Sequence, residues 1–374
     1  MKGNTIQKNL NIKKVLQEIR VKGPISKREL QDITDFSWGN ISAITNCLVK
    51  ENLIVPFGKE ATAVGRKPEK FDINVSDNFI IGIDFNSEQI LVTLCDLKGR
   101  VFDECSEVLT VKDAETALET LIRLTADVFA NNKSKNIFCI SVAVQGDVDS
   151  ENGISVRNNA IKEWCDIPLV EILSNKFGVE TYLFHDPDCL LYSEMLFGDL
   201  RGFKSGNSAL IRIDHGIGIA VSMNGNIFLG SKGKTCEIGT TIVPFNKSFA
   251  KLMNVIGEDA VSKMHFSGLS CEKIAGMAVN GDMEAIGIFS EIGKALGYAL
   301  NNVCSLLNPE KFVLFGDFTK FCELYLDDAL KVLNDNLGDE VPEIIISKQE
   351  LKSAAVGAAL FAADKTIENL EFPD

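Results

Sequence analysis

The 374-residue chain lacks the features that would place it in a membrane or outside the cell. No stretch approaches the roughly 18–20 consecutive apolar residues of a membrane-spanning helix. The first residues, MKGN, lack the apolar core of a secretory signal peptide. The ten cysteines include no C-x-x-C pair, which disfavours disulfides and a zinc site and favours buried thiols in a reducing compartment. We therefore expect a cytoplasmic protein.

Basic charge is scarce overall but is concentrated at one end of the chain. The net charge of −14 disfavours nucleic-acid binding by the chain as a whole. Residues 1–75, however, contain 13 Lys and Arg against 8 Asp and Glu, a net charge of +5, and the remainder carries −19. A basic head on an acidic body is expected where only one part of a protein meets a phosphate backbone. The length predicts two or three domains.

The pattern of residues 1–75 predicts a winged helix-turn-helix. A first helix ends near Gly23-Pro24, and the S-x-x-E capping box at Ser26–Glu29 begins a second helix. Ser37 caps a third helix, whose inward face is Ile41, Ile44 and Leu48. Two short strands, at 53–56 and 71–73, then enclose a glycine-containing loop and form the wing.

The other face of the third helix is polar and uncharged, which suits a recognition helix in a major groove. The side chains predicted to contact DNA from this helix are Trp38, Asn40, Ser42, Thr45 and Asn46. Arg66 and Lys67 at the base of the wing are expected to contact phosphates or the minor groove. The alternatives are a three-helix module that binds protein and, for Trp38, a role in the core.

Strands and helices alternate through the rest of the chain. Strands are predicted at 79–85, 89–97 and 101–109, followed by a helix at 114–131 and a strand at 137–144. This alternation continues and predicts an α/β body with mixed sheets in two lobes. The expected domains are the head at 1–75, a first lobe at 76–203 with the C-terminal helix 355–374, and a second lobe at 204–354.

The body contains eight short motifs in a consistent order. They are Gly82-Ile83-Asp84, Gly146–Asp149, Asn159 with Trp164, His185–Gly198, Gly216-Ile217-Gly218, Cys236–Gly239, Leu307–Gly316 and Ala355–Ala359. In these motifs and over nearly its whole length the chain resembles the ROK family, a group of bacterial repressors, open reading frames and sugar kinases. The resemblance implies a winged helix-turn-helix ahead of a two-lobed actin/hexokinase-like (ribonuclease H-like) body, assembled as a homodimer or homotetramer.

Three loops that handle the nucleotide in the family's kinases differ here, because each loses glycine and gains a carboxylate. Glu88 stands where the first loop has threonine, Asp214-His215-Gly216 replaces G-T-G, and Asp317 follows Phe315-Gly316 where the family has G-G-G. A carboxylate about 4 Å from a phosphate costs roughly 1 kcal/mol per charge pair in water and several times more in a cleft. We therefore expect no ATP binding and no kinase activity. The alternative is a ROK-type ATP-dependent sugar kinase with an added DNA-binding head.

The family's zinc ligands are also missing. Thr240 replaces a histidine, and no cysteine occurs between residues 241 and 264, so we expect neither structural zinc nor another cofactor. His185 and His215, beside aspartates, leave a divalent metal open as an alternative.

The sugar-binding positions are better preserved. The resemblance implies that Asn159, His185, Asp186 and Glu237 bind sugar hydroxyls in the cleft between the lobes, and carboxylates and amides suit that role. The alternative is a body that binds nothing and only dimerises. The sequence thus predicts a sugar-responsive transcription regulator, a repressor that binds operator DNA.

Overall fold

The computed structural model describes residues 2–58, 69–203, 206–230, 236–264, 268–350 and 353–369. The chain divides into two compact units. The first comprises Met1–Cys189 with Lys352–Asp374, and the second comprises Leu190–Leu351. Within the described ranges, no helix is both long enough and apolar enough to cross a membrane.

The first unit begins with a helix-turn-helix and a small antiparallel sheet. The elements are α1 (Lys2–Lys22), β1 (Ile25–Ser26), α2 (Lys27–Thr34), α3 (Trp38–Lys50), β2 (Ile54–Phe57) and β3 (Lys70–Ile73). The strand order is β1-β3-β2. The three predicted helices and both wing strands are confirmed, whereas β1 was not predicted. Arg66 and Lys67 lie outside the described residues.

Local hydrogen bonds explain where the helices of this head begin. The Ser26 hydroxyl accepts from the Glu29 N–H at 3.3 Å, and the Ser26 N–H donates to the Glu29 carboxylate at 2.8 Å, which confirms the capping box. The Ser37 hydroxyl accepts from the Asn40 N–H at 3.3 Å and begins α3. Asp35, with a φ of 59°, makes the turn between α2 and α3.

The rest of the first unit is a five-stranded sheet covered by helices. Its strands and those of a small three-stranded sheet are β4 (Phe79–Phe85), β5 (Gln89–Asp96), β6 (Val101–Val108), β7 (Ile137–Val144), β8 (Asp147–Asp149), β9 (Ile154–Arg157), β10 (Cys165–Ile167) and β11 (Glu180–His185). The helices are α4 (Ala114–Asn131), α5 (Leu169–Phe177), α6 (Asp186–Phe197), which continues into the second unit, and the C-terminal α11 (Ser353–Asn369). The sheet order is β11-β7-β4-β5-β6, with β11, β7 and β4 parallel.

Helix α11 packs directly on β4 at Gly82. A Cβ atom at this glycine would lie 2.0 Å from the carbonyl oxygen of Ala355 and 2.9 Å from the Cβ of Ala359. Gly82→Ala should therefore lower the free energy of unfolding by about 1–3 kcal/mol, as overpacking does. Urea denaturation would measure this loss. Gly39→Ala is the matched control, because a Cβ there meets nothing within 4 Å; an equal loss in both variants would contradict the prediction.

The second unit has its own five-stranded sheet and a separate hairpin. Its elements are β12 (Ser208–Ile213), β13 (Ile217–Met223), β14 (Asn226–Ile227), β15 (Ile242–Phe245), β16 (Ser248–Lys251), α7 (Glu258–Met264), α8 (Cys271–Val279), α9 (Met283–Leu307), β17 (Lys311–Phe315), α10 (Cys322–Leu337) and β18 (Glu343–Ile346). Short 3-10 helices lie at Ile238–Thr240, Leu252–Asn254, Asp317–Phe321 and Gly338–Glu340. The sheet order is β14-β13-β12-β17-β18, with β12, β17 and β18 parallel.

Both sheets are mixed and carry helices, which confirms the predicted α/β class. All ten cysteines lie among the described residues, and none of them forms a disulfide. The predicted domain limits at residues 75 and 203 stay a prediction.

Candidate functional site

The exposed face of α3 contains most of the side chains predicted to contact DNA. Trp38 is 53% exposed, so the alternative that it packs in the core is wrong. Asn46 is exposed and its side-chain oxygen accepts from Lys27 Nζ at 3.1 Å, while Asn40 and Ser42 are half-buried. These four side chains are available to a ligand on one side of the head.

Thr45 lies in the core of the head and not on this face. It is fully buried, and its hydroxyl donates to the Ile41 carbonyl at 2.8 Å. The placement follows from helical spacing, because residue 45 is four after Ile41 and one after Ile44, both of which are buried. The prediction that Thr45 faces outward is therefore corrected, and the same periodicity in the sequence would have shown it.

A second site forms where parallel strands of the first unit end. Strands β4, β7 and β11 are neighbours, and the register places Phe85 opposite Val144 and Val144 opposite His185. Carboxyl ends of parallel strands lie at one edge of a sheet, the edge where open α/β sheets bind ligands. Asp84 at the end of β4 and Asp186 directly after β11 therefore lie at this edge.

This edge of the sheet, which we call the carboxylate edge, contains the buried side chains of Asp84, Asp186 and Asp188. Asp84, Asp186 and Asp188 are 6%, 3% and 2% exposed. His185 Nε2 lies 3.7 Å from Asp186 Oδ1. Burial raises the pKa of the Cys189 thiol well above its ordinary value, and the charges of the same three aspartates raise that pKa further. The aspartates therefore surround Cys189 closely.

The surroundings of Asp188 change the pKa of its carboxyl group. Burial raises the pKa of its carboxyl to about 7; the His185 side chain opposes the rise and Asp186 adds to it. Its Oδ1 atom is buried and accepts no hydrogen bond from any residue in the described part of the chain. Buried polar atoms are normally hydrogen-bonded, so a ligand hydroxyl is a suitable donor here. Asp188 was not among the predicted site residues.

The asparagine pair before Trp164 is placed differently from the prediction. Asn159 is exposed, whereas Asn158 is 3% exposed and its side-chain NH₂ donates to no described residue. A Cβ at Gly146, which follows β7, would lie 3.3 Å from the Asn158 Cα, so Asn158 adjoins the carboxylate edge. No signal in the sequence pointed to Asn158, which lies one residue further from Trp164 than Asn159 does. Asn159 stays a predicted sugar ligand.

The loop after β4 uses its own side chains to satisfy its backbone. The Asn86 side-chain oxygen accepts from the N–H groups of Glu88 and Gln89 at 3.0 and 2.9 Å. The Gln145 side-chain oxygen accepts from the Ser87 N–H at 3.1 Å. Glu88 also forms an ion pair with Lys112. Phosphate-binding loops depend on free N–H groups, and these three are already engaged.

In the second unit, Asp214 joins two of the altered loops. Its Oδ1 accepts from the backbone N–H of Asp317 at 2.6 Å, and its Oδ2 accepts from Arg212 Nε at 2.6 Å. Gly316 has a φ of 109°, and a Cβ there would lie 2.4 Å from Asp214 Oδ1. Since β12 and β17 are parallel neighbours, this carboxylate lies at the carboxyl edge of the sheet in that unit.

Glu237, the remaining predicted sugar ligand, is exposed on the second unit. Its carbonyl accepts from the Thr240 N–H at 3.1 Å and from the Thr240 hydroxyl at 2.8 Å. His215 lies 3.1 Å from Asp259 through its Nδ1. Among the residues that the structure describes, no cluster of three or more His, Cys, Asp or Glu could hold a metal ion.

Comparison with known proteins extends these observations to the whole chain. A family model described as the ROK family matches residues 80–365. The xylose repressor of Bacillus spizizenii is 26% identical over 321 residues, which cover 83% of this chain and 83% of that protein. The crystal structure of a ROK family transcriptional regulator, a homolog of the E. coli MLC protein, matches with a TM-score of 0.81 at 21% identity, covering 97% of this chain and 98% of the other. This coverage includes the head.

A kinase structure matches a smaller share of the chain. The ROK family glucokinase from Streptomyces griseus, in complex with glucose and AMPPNP, matches with a TM-score of 0.62 at 19% identity and covers 75% of this chain and 98% of its own. Together these structures confirm the predicted fold class, a helical head ahead of an α/β body of the hexokinase-like type.

Proposed function

The chain belongs to the ROK family, and from this premise we propose that it is a sugar-responsive transcription regulator, a repressor, without kinase activity. In this proposal the head binds operator DNA, and the carboxylate edge of the first unit takes a sugar or sugar derivative. The observation that carries it is a combination of two features. The head is a helix-turn-helix, and in the body the loops that would bind phosphate donate their backbone N–H groups to side chains of the protein itself. A cytoplasmic location and a homodimer or homotetramer are part of the proposal.

The DNA-binding part rests on the exposed face of α3 and the charge of the head. Trp38, Asn40, Ser42 and Asn46 offer hydrogen bonds and stacking to base edges. Arg66 and Lys67 are the proposed backbone contacts of the wing. Since a regulator of this type reads two half-sites with two heads, DNA binding should require an oligomer.

The sugar-binding part rests on buried polar groups at the carboxylate edge. Asp186 and Asp188 are acceptors for hydroxyl groups, and the Asn158 NH₂ is a donor that no described residue uses. His185 and Asn159 are the further proposed ligands in this unit. Glu237 stays a proposed sugar ligand on the strength of the family resemblance alone.

The absence of kinase activity is proposed from the loops. A nucleotide phosphate would have to displace Asp214 from the Asp317 N–H and then lie close to that carboxylate. At about 4 Å, one such charge pair costs roughly 1 kcal/mol in water and more where solvent is excluded. The occupied amides of the loop after β4 add a second obstacle. The competing candidate is an ATP-dependent sugar kinase, which the likeness of the body to a glucokinase fold favours.

A thermal-shift screen of the full chain separates the two candidates. The panel holds monosaccharides, their 6-phosphates and Mg-ATP, because a ligand stabilises the state to which it binds. We expect a rise in melting temperature with one sugar or sugar phosphate and none with Mg-ATP. A clear rise with Mg-ATP, with sugar-dependent ADP release, would favour the kinase instead.

Asp186→Ala is expected to weaken sugar binding by roughly 10- to 100-fold, the loss typical of one hydrogen bond to a charged group. Isothermal titration with the sugar found in the screen measures the effect, and a gel-shift assay should show unchanged DNA binding. Asp127→Ala is the matched control, because Asp127 is an exposed carboxylate of α4 in the same unit. Normal sugar binding by Asp186→Ala would remove this edge as the sugar site.

A further inference from the structure

The second unit has an apolar surface that none of its described elements covers, on the hairpin of β15 and β16. The register pairs Pro244 with Phe249 and Ile242 with Lys251, and directly opposed residues of antiparallel strands share one face. On that face Phe249 is 73% exposed and Ile242 is 57% exposed. The opposite face places Val243 in the core. We call Ile242, Pro244 and Phe249 the hairpin knob.

A groove of about 490 Å³ lies beside the same hairpin, between its turn and α9. Its apolar lining includes Phe245, Met264 and Ile288, and its charged lining includes Glu284 and Glu291. The groove is open in the middle of its α9 wall, because a Cβ at Gly287 would meet no atom within 4 Å. Such a volume is ample for an aromatic ring.

The knob and the groove complement each other in charge as well as in polarity. Lys247 at the hairpin turn and Lys251 beside Phe249 are exposed, so the knob has a basic border. The groove lining carries two carboxylates, Glu284 and Glu291, and one cation, Lys294, which pairs with Glu291 at 2.7 Å, so a net charge of −1 remains for the basic border of the knob. One chain therefore carries both halves of a matching contact.

We propose that the hairpin knob of one copy of this chain binds in the groove of a second copy, and that the contact is reciprocal. A surface that contains both a projection and its complement can close into a two-fold dimer, in which each contact occurs twice. Opposite charges at the border fix the register and disfavour other partners.

Further exposed apolar side chains beside the groove can extend this contact. A stable interface buries about 800 Å² on each partner, more than the knob alone can supply. Met283 and Ile286, which lie one turn from Gly287 and Ser290 on α9, are 78% and 39% exposed. Clustered exposed apolar side chains of this kind mark association surfaces on proteins that are otherwise polar.

The proposed pairing involves residues of the second unit alone and requires no ligand. Its consequence, the presentation of two heads to an operator with two half-sites, rests on the proposed function. The two ideas can fail separately, because self-association and DNA binding are different measurements.

A complementation experiment tests the pairing by sedimentation velocity with the full chain. Phe249→Asp removes the knob, and Gly287→Trp fills the groove from its own wall. Each variant alone should raise the dimer dissociation constant at least about 30-fold, the effect of a hot-spot residue. An equal mixture should dimerise more tightly than either variant alone, because one of the two reciprocal contacts, the knob of the Gly287→Trp copy in the groove of the Phe249→Asp copy, is intact.

Matched controls use residues outside the proposed surface. Val108→Asp alters a 61%-exposed valine of β6, and Gly276→Trp alters a glycine of α8 that also has open space at its Cβ. Both should dimerise like the wild type, and all four variants should keep the wild-type melting temperature of the monomer. A monomeric wild type at micromolar concentrations, wild-type dimerisation by either the knob or the groove variant, or a mixture that dimerises no more tightly than its two components would overturn the pairing. Loss of DNA binding by a wild-type dimer would instead count against the proposed function.

Discussion

Asp364→Ala is expected to lower the free energy of unfolding of the first unit by about 3–5 kcal/mol, the usual loss when one partner of a buried ion pair is removed. The Arg20 and Asp364 side chains are 0% and 1% exposed, with Nη2 and Oδ1 2.7 Å apart. A second contact joins Nη1 to Oδ2 at 3.3 Å, and Arg20 Nε donates to the Leu97 carbonyl at 2.7 Å. Removal of the carboxylate leaves the guanidinium charged and buried, since arginine does not deprotonate.

Urea denaturation followed by tryptophan fluorescence measures this loss directly. Both tryptophans, Trp38 and Trp164, belong to the first unit, so the signal reports on the unit that contains the ion pair. Glu107→Ala is the matched control, because its pair with Arg123 is exposed (47% and 51%) and such pairs contribute at most about 1 kcal/mol. An Asp364→Ala protein as stable as the control would show that the pair contributes little.

The double replacement Arg20→Met with Asp364→Leu distinguishes charge from packing. It removes both charges together, so no uncompensated ion remains in the interior. Similar replacements elsewhere are close to neutral or stabilising, and we expect the double variant to recover most of the loss seen in Asp364→Ala. If the double variant stayed as unstable as Asp364→Ala, its remaining loss would come from side-chain packing or from the Leu97 carbonyl, which loses its donor when Arg20 is replaced.

The position of this ion pair connects the head with the body of the first unit. Arg20 is near the end of α1, in the head, and Asp364 is on α11. Helix α11 also packs on β4 at Gly82, two residues before Asp84 of the carboxylate edge. One helix therefore contacts both the DNA-binding head and the strand that ends at the candidate sugar site.

Elements with a strong local signal could be predicted from the sequence. The helix at 114–131 and the strand at 137–144 have the predicted bounds, because their apolar periodicity and their end signals agree. The helix caps at Ser26 and Ser37 could be predicted for the same reason, because each cap is marked by a local sequence signal. Strand β1 was not, since two residues carry no periodicity and are fixed only by pairing with β3.

Long-range contacts explain what the sequence could not supply at the site. Motif order indicated which strand ends would carry Asp84 and Asp186. It did not show that Asn158 would be buried and Asn159 exposed, because that depends on how the turn packs against Gly146. The carboxylate of Asp214 could be read as an obstacle to phosphate, but its bond to the Asp317 N–H joins residues 103 positions apart.

Asp188→Asn is expected to make the protein more stable at about pH 8 and to flatten the pH dependence of its stability. The folded pKa of about 7 lies above the value of roughly 3.9 for an unfolded chain, because burial opposes ionisation. The folded state therefore holds a proton that the unfolded chain releases between these values. By linkage, the contribution of Asp188 to the free energy of unfolding is largest below about pH 4. It falls as the pH rises through 7, by up to about 4 kcal/mol.

Urea denaturation of the wild type and Asp188→Asn between about pH 5 and pH 8 tests this sign, since linkage ties the slope to protons bound. The variant should gain most over the wild type at the alkaline end, where the wild-type carboxylate is charged and buried among Asp84, Asp186 and His185. Asp127→Asn, at an exposed carboxylate, should leave the wild-type slope unchanged. If the free energy of unfolding had the same pH slope in Asp188→Asn and the wild type, Asp188 would ionise normally in the folded protein. A ligand hydroxyl would then donate to a charged carboxylate at this position.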